Sequence, residues 1–169
     1  DALYRDAIAA LIKLQRGLSG GELPAYDRAL LQRELGLFQE WLLAALLALP
    51  LSAAERALLE IIATRLVENA LEQPRVAGHR DFHSRNLMLS AQANPGVLDL
   101  QDAVLGPLTY DLVSLLKDCY IAWPRTRVLE WVAHYAQGAR AAGIAVPADR
   151  DQLLRWFDLM GVQRHLKAA

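Results

Sequence analysis

Three polar side chains between residues 79 and 103 have the types and the spacing needed for phosphoryl transfer. Asp81 can accept a proton from a hydroxyl group, and Asn86 follows it within the segment HRDFHSRN. Asp99 ends the apolar run GVLD further along the chain. Moving a γ-phosphoryl group requires a positioned acceptor oxygen and a divalent cation, and Mg2+ prefers oxygen ligands. We therefore predict that Asp81 orients and deprotonates an acceptor hydroxyl, and that Asn86 and Asp99 hold the metal ion.

The order of these residues forms a specific motif. His-Arg-Asp, an apolar residue, three variable residues and Asn is the catalytic-loop pattern of protein kinases, with Phe82 where Leu is usual. A His-Arg-Asp triplet alone would carry little weight, whereas the Asn at the right offset and the later Asp make chance a poor explanation. The simpler alternative is a polar surface loop, in which these side chains would have no common task.

The chain resembles the aminoglycoside phosphotransferase and choline kinase-like family of small-molecule kinases, whose catalytic loop reads His-x-Asp-x-x-x-x-Asn. It is similar above all to the bacterial kinases that phosphorylate N-acetylmuramate and N-acetylglucosamine at the anomeric hydroxyl in cell-wall recycling. The segments that carry the resemblance are HRDFHSRNLM, GVLDLQDAVLGPLTYDLVSLLKDCYIAWP and LMGVQRHLK. The resemblance implies a protein-kinase-like α+β fold, ATP as co-substrate and Mg2+ as cofactor. It places the catalytic base at Asp81 and the metal ligands at Asn86 and Asp99.

The same resemblance implies supporting residues around the catalytic loop. His79 is expected to hold the loop, and Asp111 is expected to brace it. His83 and Arg85 lie within the loop and could face the acceptor or the phosphates, and Asp102 could touch the metal indirectly or the sugar. For His83 and Arg85, exposure to solvent remains the open alternative.

Composition restricts the class of protein. The chain has 169 residues, 54% of them apolar and 22% charged, which predicts one globular domain with its own core. The net charge of −1 offers no basic surface for nucleic acid. The longest apolar run, from Trp41 to Leu51, is shorter than the roughly 20 residues of a membrane span. The single cysteine, Cys119, excludes an internal disulfide and favours a cytoplasmic location, and its apolar neighbours predict a core position.

Hydrophobic periodicity predicts a mainly helical subregion over residues 1–74. Helices are predicted over 3–16, over 26–48 with a break near Gly36, and from Ser52, where SAAE is a capping-box pattern. We expect the apolar run from Trp41 to be a buried helix end. Residues 17–24 (GLSGGELP) predict a loop, and Gly20-Gly21 within them lacks the lysine and the strand of a phosphate-binding loop. The apolar face of the third helix is predicted to consist of Leu58, Leu59, Ile62, Leu66 and Ala70.

Residues 75–103 contain apolar pieces that are too short for helices, at 76–79, 87–89 and 97–100. The turn sequence Asn-Pro-Gly separates the last two, which predicts a strand, the catalytic loop and a small β-hairpin. This hairpin would return Asp99 to the side of Asn86, so that both reach one metal ion.

Helical periodicity returns over residues 104–169. It predicts one helix from Tyr110 with Tyr120 on its apolar face and a stop at Pro124, a second from Val128, and a third from Ala148 to the terminus. The predicted apolar faces of the last two helices are Val128, Trp131, Val132, Tyr135 and Ala139, and Leu153, Phe157 and Met160. Arg164 and His165 belong to the last helix, and we expect them at the surface or between helices rather than on a substrate.

A kinase of this family also needs a lobe that grips ATP, with a glycine-rich loop, a strand lysine and a helix glutamate. None of these precedes residue 79, since residues 1–74 are helical in pattern and contain one lysine, Lys13. We therefore expect residues 1–169 to be the C-terminal lobe, which holds the catalytic and substrate residues. Its expected partners are ATP, a small-molecule substrate and the N-terminal lobe of the same protein.

Two other interpretations stay open. A protein kinase would carry Phe-Gly after Asp99 and a later Ala-Pro-Glu, whereas this chain has Leu100-Gln101 and neither of those elements. A pseudokinase or a helical interaction module would have no need for Asp81, Asn86 and Asp99 together. The acceptor could be an amino sugar, an aminoglycoside, choline or homoserine. The basic residues of the catalytic loop favour a neutral or anionic acceptor over a polycationic one.

If the chain lacks the ATP-gripping lobe, it should by itself bind ATP weakly and show little or no phosphotransfer. The physical reason is that the phosphates would meet protein on one side only. Calorimetric titration of ATP and Mg2+ into the purified chain measures this affinity, and a micromolar dissociation constant would contradict the expectation.

Overall fold

Six α-helices and four short β-strands make up the described part of the chain, residues 1–17, 23–91 and 94–169 of this computed structural model. In chain order the elements are α1 (Ala2–Gly17), α2 (Arg28–Leu37), a π-helical segment (Phe38–Leu46), α3 (Ala53–Leu71), β1 (Arg75–Gly78), β2 (Leu87–Met88), β3 (Gly96–Val97), β4 (Val104–Pro107), α4 (Tyr110–Leu116), α5 (Arg125–Ala141) and α6 (Arg150–Ala168). The predicted class, mainly helical with a small β region, is confirmed. Most of the predicted loop at 17–24, including Gly20-Gly21, lies outside the described residues.

Two antiparallel strand pairs organise the segment that contains the catalytic motif. β1 pairs with β4, and Gly78 at the end of β1 lies opposite Val104 at the start of β4. Residues 79–103 therefore leave this strand pair and return to it at the same place. Within that excursion β2 pairs with β3, with Leu87 opposite Val97. The predicted hairpin is confirmed.

β4 corrects the sequence analysis, which assigned residues 104–169 to helices alone. The strand is four residues long, and its partner β1 is distant in sequence. Local periodicity reports local structure, so it cannot reveal a short strand that is stabilised by a remote partner. The pairing extends on the other side of β4, where the isolated residue Ala25 bridges to Leu105.

The core is built around α4, all seven residues of which are buried. The apolar faces of α1, α5 and α6 surround it, and the large, fully buried side chains of these helices are Ile8, Leu11, Trp131, Tyr135, Phe157 and Met160. The predicted apolar faces of the last two helices are confirmed. Each large side chain buried in this way contributes about 1.5–3 kcal/mol to stability, so the surrounding helices fix α4 in position.

α4 ends at Leu116, before the predicted stop at Pro124. The Oδ1 atom of Asp118 accepts hydrogen bonds from the backbone N–H groups two and three residues later, at 2.6 and 2.9 Å. These bonds turn the chain out of the helical path. The turn carries Cys119 and Tyr120 to the surface, so the prediction that both lie on the buried face is wrong.

The region between α2 and α3 also differs from the prediction. The helix does not break at Gly36 but continues into the π-helical segment, where the Leu47 N–H donates to the Leu42 carbonyl at 3.0 Å. The following apolar run is not buried, since Trp41 is 67% and Leu46 is 74% exposed. This segment projects beyond the core. Among the described residues, no helix combines the length and the apolar composition of a membrane span.

α3 begins with the predicted capping box. The Ser52 N–H donates to the Glu55 carboxylate at 2.8 Å, and the Glu55 N–H donates to the Ser52 hydroxyl at 3.3 Å. The predicted apolar face is correct at Leu66 and Ala70, which are buried. It is wrong at the start of the helix, where Leu58 is 56% exposed, because only the C-terminal half of α3 lies against the core.

Candidate active site

A buried carboxylate on α4 holds the start of the catalytic loop. Asp111 accepts a hydrogen bond from the His79 N–H on Oδ2 at 2.6 Å and one from the Arg80 N–H on Oδ1 at 2.9 Å. Its side chain lies in the core and is 1% exposed. Burial raises the pKa of Asp111 from 3.8 to about 6, while the two backbone donors and the positive charge of Arg164 act in the opposite direction. The ionised carboxylate therefore presents two oxygens that orient two successive peptide groups.

A second cluster fixes the side chain of Arg80. This residue has a left-handed backbone conformation with φ 74°, which costs a non-glycine residue roughly 1–2 kcal/mol. Its guanidinium donates to Glu34 Oε1 at 2.6 Å, and Lys167 Nζ lies 3.1 Å from the same oxygen. The Tyr26 hydroxyl also donates to the Glu34 carboxylate. The sequence analysis missed Glu34 and Lys167, because both are remote from the motif and join it only in the fold.

His79 connects the catalytic loop to the hairpin. The ring is completely buried, its Nε2 lies 2.7 Å from the Leu98 carbonyl oxygen, and its Nδ1 accepts the N–H of Asp81 at 3.3 Å. This network assigns the proton to Nε2. The imidazole therefore bridges the backbone of Asp81 to the residue that precedes Asp99.

Asn86 closes the loop around Asp81. Its side-chain amide donates to the Asp81 carbonyl oxygen at 3.0 Å, and its backbone carbonyl accepts the N–H of Leu98 at 3.0 Å. Because the NH2 group of Asn86 is used in the hydrogen bond to the loop, the amide can direct its oxygen toward a ligand. The hairpin thus brings Asn86 and the Leu98–Asp99 step together, as the sequence predicted.

The charges of Asp81 and Asp99 are left uncompensated. Within the described ranges, neither carboxylate forms a salt bridge or a side-chain hydrogen bond, and Asp99 is exposed with φ 59°. The described residues also contain no cluster of three or more His, Cys, Asp or Glu side chains that could hold a metal. One amide oxygen and one free carboxylate fit a Mg2+ ion whose other ligands are phosphates and water. A closed, all-protein metal cage would not fit this pair.

The second half of the catalytic loop is tied to the turn after α4. The Ser84 N–H and hydroxyl both donate to Asp118 Oδ2. Burial opposes ionisation of Asp118, but its hydrogen bonds outweigh burial and lower its pKa. Asp118 therefore anchors the loop as an ionised acceptor. The sequence analysis did not identify it, because a lone Asp that follows a helix carries no motif.

Tyr120 forms an exposed aromatic surface beside the loop. Its ring lies edge-on to His83 with centroids 5.6 Å apart, and the Arg85 guanidinium carbon is 4.7 Å from its centroid. The Tyr120 side chain is 55% exposed, so this group is open to a ligand. Asp102, the last predicted site residue, is exposed on the turn after Asp99.

Arg164 lies on α6 with its side chain buried. It is 8% exposed, its Nη1 has no hydrogen-bond partner, and the Nδ1 of His83 is likewise enclosed without a partner. Burial and the charge of Arg164 lower the pKa of His83, which keeps that imidazole neutral at pH 7. Its neighbour His165 is exposed and contacts the Lys117 carbonyl through Nε2 at 2.9 Å.

An apolar cavity lies on the hairpin side of the site. Its volume is about 200 Å3, and α1, α4, the hairpin and Ser84 line it. The lining side chains include Leu3, Tyr4, Ala7, Leu87, Met88 and Leu115. Such a surface suits an apolar or aromatic ring rather than a charged group.

The chain is similar in sequence to known phosphotransferases. The family model of the phosphotransferase enzyme family matches residues 1–154. A Pseudomonas putida protein named N-acetylmuramate/N-acetylglucosamine kinase is 50% identical over 167 residues, which cover 99% of this chain and 49% of that protein. A Neisseria meningitidis protein of the same name is 49% identical over 168 residues, covering 99% of this chain and 50% of that protein. The chain therefore spans about half the length of the curated relatives it matches.

Replacing Asp111 by Asn should destabilise the chain by about 1–3 kcal/mol at pH 7, because the amide turns its NH2 group toward a backbone N–H. The difference should depend on pH. Between pH 3.8 and about 6 the folded state holds a proton on Asp111 that the unfolded state releases, so wild-type stability falls as pH rises through this window. Relative to the variant, the wild type should therefore gain stability on acidification.

Urea unfolding of both proteins at pH 4.5 and pH 7 measures these differences. The exposed helical residue Glu60 offers the control Glu60→Gln, which should change stability by less than about 0.5 kcal/mol. An Asp111→Asn variant as stable as the wild type at both pH values would show that this carboxylate does not hold the loop.

Proposed function

The chain belongs to the phosphotransferase enzyme family, and we propose that it forms the catalytic and substrate lobe of a small-molecule kinase. The kinase transfers the γ-phosphoryl group of ATP to a hydroxyl group of an amino sugar, N-acetylmuramate or N-acetylglucosamine. The observation that carries the proposal is the Asp81 carboxylate, which has no partner among the described residues although Asp111, His79 and Asn86 anchor the backbone around it.

Asp81 acts as the base in this mechanism. A carboxylate without a cation or donor partner is free to accept a hydrogen bond from the acceptor hydroxyl, and it takes the proton as the oxygen attacks phosphorus. Hydrogen bonds of the Asp81 backbone with His79 and Asn86 hold the residue in place, so its carboxylate stays available for the hydroxyl. Positioning of the hydroxyl is the larger part of the effect, since phosphoryl transfer requires little covalent work from the protein.

Asn86 and Asp99 are the residues that would hold Mg2+. When bound, the ion neutralises charge on the ATP phosphates. The contribution of the chain is to place one amide oxygen and one carboxylate at neighbouring points of the hairpin, with His79 setting their position relative to Asp81. The apolar cavity beside the hairpin is suited to the aromatic base of ATP.

We also propose that the active kinase contains an ATP-gripping lobe in addition to this chain. The curated relatives are about twice as long as the aligned region. The residues described here supply an acceptor base and metal ligands, but no glycine-rich loop to cover the phosphates. A reaction that uses ATP and a free sugar is expected in the cytoplasm.

The acceptor assignment rests on the relatives and on charge. The relatives are named as kinases of N-acetylmuramate and N-acetylglucosamine. Around the loop, the buried Arg164 and the exposed Arg85 offer positive charge. A polycationic aminoglycoside would be repelled there, whereas a neutral or anionic sugar would not.

The decisive experiment compares wild-type kinase with Asp81→Asn in the full-length protein that contains this chain. With Mg2+ and ATP, ADP release is followed against N-acetylmuramate, N-acetylglucosamine, an aminoglycoside and choline. We expect turnover with the amino sugars and a loss of about 10²–10⁴-fold in kcat in the variant, with little change in KM, because the amide keeps the shape but cannot accept the proton.

Asp151→Asn, at an exposed position on α6, is the matched control and should keep wild-type rates. Turnover with another acceptor only would contradict the amino-sugar assignment but would leave the proposed phosphotransfer mechanism in place. No turnover with any acceptor would favour a pseudokinase, and full activity of Asp81→Asn would remove this residue from the base role.

Asp99→Ala should abolish Mg2+-dependent binding of ATP by the full-length kinase. Only one protein ligand would remain for the ion, and Mg2+ sites of this kind use one or two carboxylates plus phosphates. Calorimetric titration of ATP with and without Mg2+ measures the effect, with Glu130→Ala, at an exposed position on α5, as the control. Unchanged affinity in Asp99→Ala would exclude Asp99 as a ligand.

A further inference from the structure

We propose that Arg164, together with His83, forms a subsite for the carboxylate of an anionic acceptor sugar. This inference rests on the proposed function and extends it to substrate selectivity. In this proposal, a single buried cation on α6 distinguishes a sugar that carries a carboxylate from one that does not.

The first observation is that Arg164 is buried without a counterion. The side chain is 8% exposed, and within the described residues it makes no salt bridge and no hydrogen bond. An enclosed guanidinium nitrogen without a partner, such as Nη1 of Arg164, is costly because burial removes its hydration. Asp111, on the helix α4 that packs against α6, has both oxygens occupied by backbone N–H groups. An anion that enters the site would supply the missing partner.

The second observation is that two residues that follow Arg164 tie α6 to the catalytic loop. One residue later on α6, His165 contacts the Lys117 carbonyl at 2.9 Å, next to Asp118, which holds Ser84. Three residues later, Lys167 reaches Glu34 at 3.1 Å, and Glu34 holds Arg80. α6 is therefore tied to the loop on both sides of His83. Around the axis of α6, His165 and Lys167 point to opposite sides of Arg164.

The third observation is that His83 is a second unsatisfied group at the same place. Its Nδ1 is buried without a hydrogen-bond partner. The charges of both Arg164 and Asp81 act on this imidazole, and His83 follows Asp81 by two residues in the catalytic loop. A neutral imidazole can donate through Nδ1 while the guanidinium supplies charge, and this pair of donors matches the two oxygens of a carboxylate.

The position of the pair favours a group on the acceptor over the ATP phosphates. The metal residues Asn86 and Asp99 belong to the hairpin, whereas His83 contacts Tyr120 in the turn after α4. N-acetylmuramate is N-acetylglucosamine with an added lactyl ether that ends in a carboxylate. A kinase that uses both sugars would therefore gain the Arg164 contact with one of them only.

The test uses the full-length kinase and compares Arg164→Gln with wild type on both sugars. For N-acetylmuramate, kcat/KM should fall about 10- to 100-fold, mainly through KM, as expected for loss of a charge-assisted hydrogen bond. For N-acetylglucosamine, kcat/KM should stay within about threefold of wild type, since that sugar has no carboxylate to lose. Arg150→Gln, at an exposed arginine on the same helix, is the matched control and should leave both sugars unchanged.

Two further measurements keep the outcome decisive. Arg164→Lys retains the charge, so its kcat/KM for N-acetylmuramate should lie between the values of wild type and Arg164→Gln. This variant also provides the test if Arg164→Gln fails to fold. In wild type without nucleotide, N-acetylmuramate should raise the melting temperature more than N-acetylglucosamine does.

An equal loss on both sugars would overturn the proposal, because it would mean that Arg164 supports the loop or the transferred phosphoryl group. Equal thermal stabilisation by the two sugars would overturn it as well. If the wild type turns over neither sugar, the result contradicts the proposed function itself, on which this inference depends.

Discussion

The two hydrogen bonds from the catalytic loop to Asp111 are the interaction on which the rest of the site depends. α4 is buried on every side, so the carboxylate has a fixed position. β1 ends at Gly78, where a Cβ would lie 3.6 Å from Asp111 Oδ2. The chain therefore passes directly over the carboxylate, and the next two N–H groups bind it. The left-handed conformation of Arg80 follows from this geometry and is sustained by the contact with Glu34.

The proposed active-site residues are brought together because one segment of the chain, residues 79–103, leaves a strand pair and returns to it. The pairing of β1 with β4 makes residues 79–103 start and end at one point. The hairpin then folds that excursion on itself, and His79 joins its two arms through Leu98 and Asp81. As a result, the proposed base and the proposed metal ligands share one rigid frame. Phosphoryl transfer depends on such positioning more than on reactive groups.

The charged groups of the site divide into two classes by their surroundings. Glu34, Asp111 and Asp118 are buried and carry two or more hydrogen bonds or ion pairs each, so their charge is used to anchor backbone and side chains. Asp81 and Asp99 have no such partner among the described residues, so their charge remains available for a proton or a cation. Arg164 is a cation of the same kind, because its Nη1 has no hydrogen-bond partner among the described residues. In the proposed function, the charges of Asp81, Asp99 and Arg164 are the ones that bound ligands would compensate.

The sequence by itself determined the catalytic motif, the hairpin, the capping box at Ser52 and the apolar faces of α5 and α6. Each of these depends on neighbours within one turn of helix or one hairpin, so each can be predicted from a short stretch of sequence. The tertiary structure alone decided the features that depend on remote partners. Among these are β4, the exposure of Trp41 and Cys119, and the anchoring roles of Glu34 and Asp118. The unpaired state of Arg164 is of the same kind, because whether a charge is compensated depends on what the fold places around it.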